Sequence, residues 1–268
     1  MARRNRFKNG GKASRLRRQG ASDEWDGRVE SWEAVSASDA FQRFAARICE
    51  LADPRTDDRI VDLGAGTGLL ALRLAKEVEL VVAVDASPAM LARLAERAQT
   101  AGLANVETVV ADLCSLPLAD HSVTLAVSNY AFHHLDDAAK ELALSEVRRV
   151  LVPGGRLVLC DMMFSLSLRP RDRSIVASKL RLLARQGPAG FMRIGRNALR
   201  LARGSWEHPA PPEQWRDALL ARRFADVVVA PLEHEAGIAA ARRPELPSTA
   251  RASTPPFEAS AAAHRRAV

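Results

Sequence analysis

Cysteine is scarce in this chain: Cys49, Cys114 and Cys160 are the only three among 268 residues. They are odd in number, far apart and set in otherwise apolar helix or strand patterns. They therefore read as reduced core thiols, and neither a disulfide framework nor a zinc site is expected. Long apolar runs are missing too, none approaching the roughly 20 residues of a membrane span. Arg3-Arg4 has no apolar segment behind it, so no secretory signal is read. These absences together predict a cytoplasmic protein. Acids are missing from one stretch only: residues 1–18 hold eight of the 39 Lys/Arg and no Asp or Glu, so the remaining 31 cations face 32 acids. The net charge of +7 belongs to a tail and says little about the folded part.

What is present fits one large α/β domain or two small ones with a substantial core. Residues 1–20 are rich in Arg, Lys, Gly, Ser and Asn, and residues 244–268 in Ala, Pro, Ser and Arg. Both lack periodicity and are expected to be disordered tails around a domain at 21–243. The basic arm reads either as a solvated leader, which is preferred, or as a nucleic-acid or acidic-membrane arm.

Ser38 to Ala52 carries Phe41, Phe44, Ile48 and Leu51 at helical spacing. Trp25 and Trp32 precede it, and two readings stand: they pack this helix onto a sheet, or they close over a ligand as a lid. Apolar strands are then expected over Ile60, Val61 and Leu63, and at Leu80–Val84, Val106–Val110, Val123–Val127 and Arg156–Cys160, with helices between. The helix from Asp137 to Leu151 should stop at Pro153-Gly154-Gly155. This alternation implies a doubly wound, mostly parallel sheet. Ala225–Leu232 and Ala236–Arg243 are joined too closely for a crossover helix, so the seventh and last strand should be antiparallel. Between the fifth strand and these two lies Met163 to Glu207, with ten Lys/Arg against Asp172 and Glu207. It reads as a helical cap inserted after the fifth strand and covering the crevice at the strands' carboxyl ends. Its cations are either a solvated face or contacts for an anionic substrate.

Those carboxyl ends carry Asp62/Gly64, Asp85, Asp112, Asn129 and Asp161, one polar group per strand after an apolar run. Five in series make a site. The first is followed by Gly64, Gly66 and Gly68, a turn whose free backbone N–H groups let a ligand lie against the chain. The spacing is G-x-G-x-G, with Leu69 where a dinucleotide fingerprint of G-x-G-x-x-G wants its last glycine.

Val61-Asp62-Leu63-Gly64-Ala65-Gly66-Thr67-Gly68, Val84-Asp85-Ala86-Ser87, Ala111-Asp112 and Leu151-Val152-Pro153-Gly154-Gly155-Arg156-Leu157 resemble the motifs of class I S-adenosylmethionine-dependent methyltransferases. The resemblance implies a Rossmann-like fold with S-adenosyl-L-methionine as cofactor. It further implies that Gly64, Ala65, Gly66 and Gly68 admit the methionine moiety while Asp62 orients its ammonium. Asp85 would accept the ribose hydroxyls and Asp112 would meet the adenine amino group, with Leu113 against the ring; Ala86, Met90 and Asn129 complete the implied cofactor-binding set. Asn129-Tyr130-Ala131-Phe132-His133-His134-Leu135 resembles the same segment of small-molecule methyltransferases, including the ubiquinone/menaquinone C-methyltransferase branch. No proline follows Asn129, unlike the N-P-P-Y segment of enzymes that methylate amino groups. His133 and His134 are the candidate catalytic bases, since an imidazole titrates near working pH; one of the two is expected to be structural. No metal is expected, because the His pair lacks a third ligand motif. The acceptor implied is a small or lipid-like molecule. RNA is a less favoured partner, and a module that binds the cofactor without turnover is the other alternative.

Overall fold

In the computed structural model, which describes residues 25–245 apart from 166, 168, 186 and 203–206, the chain opens with helices α1 (Val29–Ser36) and α2 (Asp39–Ala52). Strand and helix then alternate through β1 (Arg59–Leu63), α3 (Ala71–Leu74), β2 (Leu80–Asp85), α4 (Pro88–Thr100), β3 (Val106–Val110), β4 (Val123–Asn129), α5 (Asp137–Val150) and β5 (Leu151–Met162). The inserted helices α6 (Pro170–Ala184) and α7 (Pro188–Ala202) follow, then α8 (Pro212–Ala221), β6 (Ala225–Pro231) and β7 (Ala236–Arg242). The expected tails, 1–20 and all of 244–268 but its first two residues, lie outside the described residues.

The strands form one sheet in the order β3-β2-β1-β4-β5-β7-β6. β1 pairs in parallel with β2 and β4, β2 with β3, and β4 with β5, whereas β7 runs antiparallel to both β5 and β6. Both faces of the central strands are covered, which is why they read as continuous apolar runs rather than alternating ones. Val61, Leu63, Val82 and Val84 join Leu144, Val147, Trp215 and Leu219 in one buried cluster. Ile60, Val81, Ala83 and Leu125 join Phe44, Ile48, Leu91 and Leu94 in the other.

The start of β5 differs most from the sequence expectation. The helix ends at Val150, and β5 begins at Leu151, which pairs with Val123 before the ladder resumes at Arg156 opposite Leu125. Pro153-Gly154-Gly155 is thus a bulge inside the strand. Its free groups are satisfied by Arg243: Gly154 N–H donates to the Arg243 carbonyl at 2.9 Å, and Arg243 N–H to the Gly155 carbonyl at 2.8 Å.

The end of the sheet away from the strands' carboxyl termini is locked by charge. Arg156 pairs with Asp58 and donates to the Ala52 carbonyl at 2.8 Å, while Asp58 also accepts from Thr124 Oγ1 at 2.6 Å and Arg55 N–H at 2.7 Å. The inserted helices are anchored at the opposite end. Ile175 of α6 is buried with Met162 and Phe164, and Arg171 donates to the carbonyls of Met163 at 2.7 Å and Ala236 at 3.1 Å.

Candidate active site

The carboxyl ends of β1, β2 and β4 meet at a cavity of about 220 Å³. Its floor is the turn after β1. Gly64 and Gly66 both hold φ in the left-handed region, at 71° and 51°. A Cβ on Gly64 would stand 2.3 Å from Cβ of Ala131, and one on Gly66 2.7 Å from Nε1 of Trp32. Only glycine lets the chain after β4 and the indole approach this closely. Of the other two residues assigned to this turn, Ala65 is buried in the core, and Gly68 lies against Leu72 and Leu94 rather than the cavity.

Asp85 stands on the wall at the end of β2. Its Oδ2 accepts from Gly66 N–H at 2.8 Å and its Oδ1 from Ser87 N–H at 2.9 Å. Burial raises its pKa and these two N–H groups pull it back. Each oxygen keeps a lone pair for a ligand hydroxyl. Ala86 and Met90 line the same wall, Met90 at the start of α4 where its N–H is capped by Ser87 Oγ at 3.1 Å. Asp112 and Leu113 complete it, with Asp112 Oδ1 accepting from Cys114 N–H at 2.9 Å.

Asp62 and Asn129 do not line the cavity. Asp62 lies under the turn, where Oδ2 accepts from Ala71 N–H at 3.0 Å; burial, with the Asp85 charge adding to it, pushes its carboxyl up to about 7. Asn129 is buried at the end of β4, and its Oδ1 has no partner among the described residues.

The two histidines take different places. Asp161, whose side chain the strand-end pattern assigned to the site, is instead fully buried as the anchor of the loop after β4. It accepts from the N–H groups of Phe132 at 2.7 Å, His133 at 3.1 Å and Met162 at 2.6 Å, and lies 2.6 Å from Nδ1 of His133. Burial works against its charge, yet His133 and these donors hold its carboxyl below the usual range. His133 is thereby fixed beneath the wall. His134 is on the wall, its ring centroid 4.0 Å from that of His133 and 5.0 Å from Trp25. Burial and the adjacent His133 push its pKa down to about 3, so the ring is neutral at working pH. That corrects the expectation of an imidazole titrating near neutrality.

Trp25 and Trp32 both line the cavity, edge to face at 5.8 Å, so the lid reading describes their place. The packing reading survives only in Trp32, whose ring meets Phe41 of α2 at 5.5 Å. Asp26 pins this segment to α4 by accepting from Ser87 Oγ at 2.5 Å, and Glu33 pairs with Arg93 at 2.9 Å.

The helices expected after the fifth strand are present, and among the described residues of 163–207 none lines the cavity. Arg171, bonded at Ala236, and Lys179, paired with Glu235 at 3.0 Å, draw α6 toward the β7 side of the sheet. Among the described wall residues, Tyr130 packs against the Met162–Phe164–Ile175 cluster, to which α6 contributes Ile175. The functional reading also passed over His208, which lines the cavity and donates its N–H to the His133 carbonyl at 2.7 Å. No local pattern marks it. Tyr130, Ala131, Leu135 and Asp136 belong to a segment the sequence did single out.

Residues 60–155 match the family described as "Methyltransferase domain". The demethylmenaquinone methyltransferase of Corynebacterium kroppenstedtii is 37% identical over 109 residues, 41% of this chain and 44% of that protein. This chain spans 38–44% of the length of the first curated relatives it matches. Among solved structures, a SAM-dependent methyltransferase from Aquifex aeolicus aligns with a TM-score of 0.57 at 17% identity, covering 80% of this chain and 98% of that one. The [4+2]-cyclase SpnF aligns at 0.63 and 18%, covering 84% and 95%. Both likenesses concern the fold alone.

Proposed function

We propose that this chain, whose residues 60–155 match a methyltransferase domain, is a class I S-adenosylmethionine-dependent methyltransferase that transfers a methyl group from its cofactor, S-adenosyl-L-methionine, to a small-molecule or lipid-like acceptor. The observation that carries this is the double chemistry of the cavity wall. Gly64, Gly66, Asp85 and Asp112 suit a cationic nucleoside, while Trp25, Trp32, Tyr130 and Leu135 offer apolar and aromatic surface. No Lys or Arg is among the described lining residues, so the wall does not suit a pyrophosphate.

In this reading Asp85 accepts from the ribose hydroxyls, Asp112 from the adenine amino group, and Met90 and Leu113 flank the ring. The glycine turn admits the methionine moiety above Asp62. When bound, the cofactor supplies an electrophilic methyl on a sulfonium. The chain's task is then to hold a nucleophile in line at about 3 Å and to exclude water. His134 is the wall residue placed to orient that nucleophile; a neutral ring with so low a pKa gives or accepts one hydrogen bond and is a weak base. His133 acts through its neighbours, as a positioning residue held by Asp161. The cavity is below the roughly 300–1,000 Å³ of ordinary ligand sites, so cofactor and acceptor fit together only if a wall moves. Cys49, Cys114 and Cys160, none in a disulfide among the described residues, favour a reducing, cytoplasmic setting.

The test is transfer of labelled methyl from S-adenosylmethionine to a demethylated prenylquinol, the acceptor type suggested by the named relatives, beside a small phenol and an RNA pool. Label in either small acceptor supports the reading. Label in RNA alone would replace it, and tight cofactor binding with no transfer would make the chain a binding module.

A further inference from the structure

The helical pair α6–α7 stays off the cavity wall, and its outward surface combines two properties. Phe191, Met192 and Leu199 of α7 are 61%, 67% and 49% exposed, and Leu180 of α6 is 45% exposed. Residues 191, 195, 198 and 199 fall on one helical face, so Gly195 and Ala198 extend the apolar stripe. The half-buried Ile194 and Asn197 lie on another side, so packing against α6 does not use the stripe. The charge around it has one sign. α7 contains no acid, and the single acid of α6, Asp172, is buried and bonded to the hydroxyls of Ser165 at 2.7 Å and Ser167 at 2.5 Å. Arg173, Arg181, Arg185, Arg193 and Arg196 are exposed.

We propose that α6–α7 is a membrane-docking element, which seats Phe191, Met192 and Leu199 at the headgroup boundary of an anionic bilayer while the arginines meet lipid phosphates. An apolar stripe beside an acid-free basic flank is what a helix lying in that interface requires. Neither half alone selects a bilayer, but together they do. A second copy of the chain on this face would bring two arginine clusters together. A nucleic acid would satisfy the arginines and leave Phe191 and Met192 in water. No helix among the described residues is long and apolar enough to cross a membrane, so the contact is peripheral. Because Ile175 of α6 belongs to the cluster against which Tyr130, a wall residue, packs, docking would set the cavity close to the bilayer surface.

The test is co-sedimentation of the full chain with phosphatidylglycerol-containing and pure phosphatidylcholine vesicles, with S-adenosylmethionine affinity measured in parallel as the check on folding. Wild type should bind the anionic vesicles at least tenfold more tightly. A Phe191→Ser/Met192→Ser/Leu199→Ser variant, which leaves every charge in place, should lose at least tenfold, and Phe191→Leu/Met192→Leu should retain binding. The proposal is overturned if the triple serine variant binds anionic vesicles like wild type, because the basic residues 1–18 would then account for binding. It is equally overturned if wild type binds neither vesicle, or if light scattering shows a dimer that the serine variant splits. The cofactor measurement stands apart from all of these, so failure here leaves the methyltransferase reading where it was.

Discussion

Asp62 is buried beneath the glycine turn with its carboxyl pushed up to about 7, and that has a consequence for stability. The folded state holds this proton more tightly than the unfolded chain, whose Asp titrates near 3.9. Its contribution is therefore complete below that value and is lost as the pH rises toward 7. The penalty above pH 7 is about 4 kcal/mol at 1.36 kcal/mol per unit. Asp62→Asn keeps an acceptor for Ala71 N–H and never ionises. It should stabilise the protein at pH 8 by about 3 kcal/mol and change little near pH 4.5, in denaturant melts at the two pH values. Equal effects at both would show that Asp62 titrates normally. Asp85 is the other carboxylate whose role can be separated from the fold. Asp85→Asn should weaken S-adenosylmethionine binding by about 10- to 100-fold, the scale of a lost charged hydrogen bond, as read by calorimetry. Unchanged affinity would leave Asp85 as the acceptor for Gly66 and Ser87 and nothing more.

The two ends of β5 do different work, although both rest on a buried charge. At one end Arg156 neutralises Asp58. Arg156→Leu leaves that carboxylate buried and should cost about 3–5 kcal/mol while the cofactor affinity of the folded fraction stays at wild-type strength. At the other end Asp161 holds the loop that carries His133 and His134. Asp161→Asn should destabilise by about 2–4 kcal/mol and also lower turnover, because an amide offers poorer acceptance to three backbone donors. Its folded pKa is depressed, so its stabilisation is full above about 3.9 and disappears only as the pH falls through the lower folded value. The melts of wild type and variant should converge in acid alone. A variant that melts like wild type at pH 7 would refute the anchor. The sequence made the turn after β1 and the acids ending β2 and β3 legible, because each is a local pattern with a local job. Asp161 looked the same in the pattern and differs in fact: its partners lie about thirty residues away, and only the folded loop shows them. The direction in which the inserted helices lean has the same origin. Leaving a strand at its carboxyl end suggests covering the crevice, and nothing local says that Arg171 and Lys179 have partners by β7.

At the scale of the whole molecule, the cavity is walled partly from outside the alternating α/β framework, by the segment before β1. Asp26 and Glu33 tie that segment to Ser87 and Arg93, and it puts the Trp32 indole nitrogen against Gly66. If the glycine turn receives the cofactor as proposed, the surface it approaches is already in contact with a side chain of the protein. Entry then becomes a two-step event in which opening precedes capture, and opening has its own rate constant. In stopped-flow traces of tryptophan fluorescence, the observed association rate should climb with S-adenosylmethionine concentration and level off at that constant. Trp32→Ala should remove the plateau and give a straight line. A straight line in the wild type would mean that the indole yields as fast as the cofactor arrives. With a plateau, the pace of cofactor capture is set by a residue that precedes every strand of the sheet it guards.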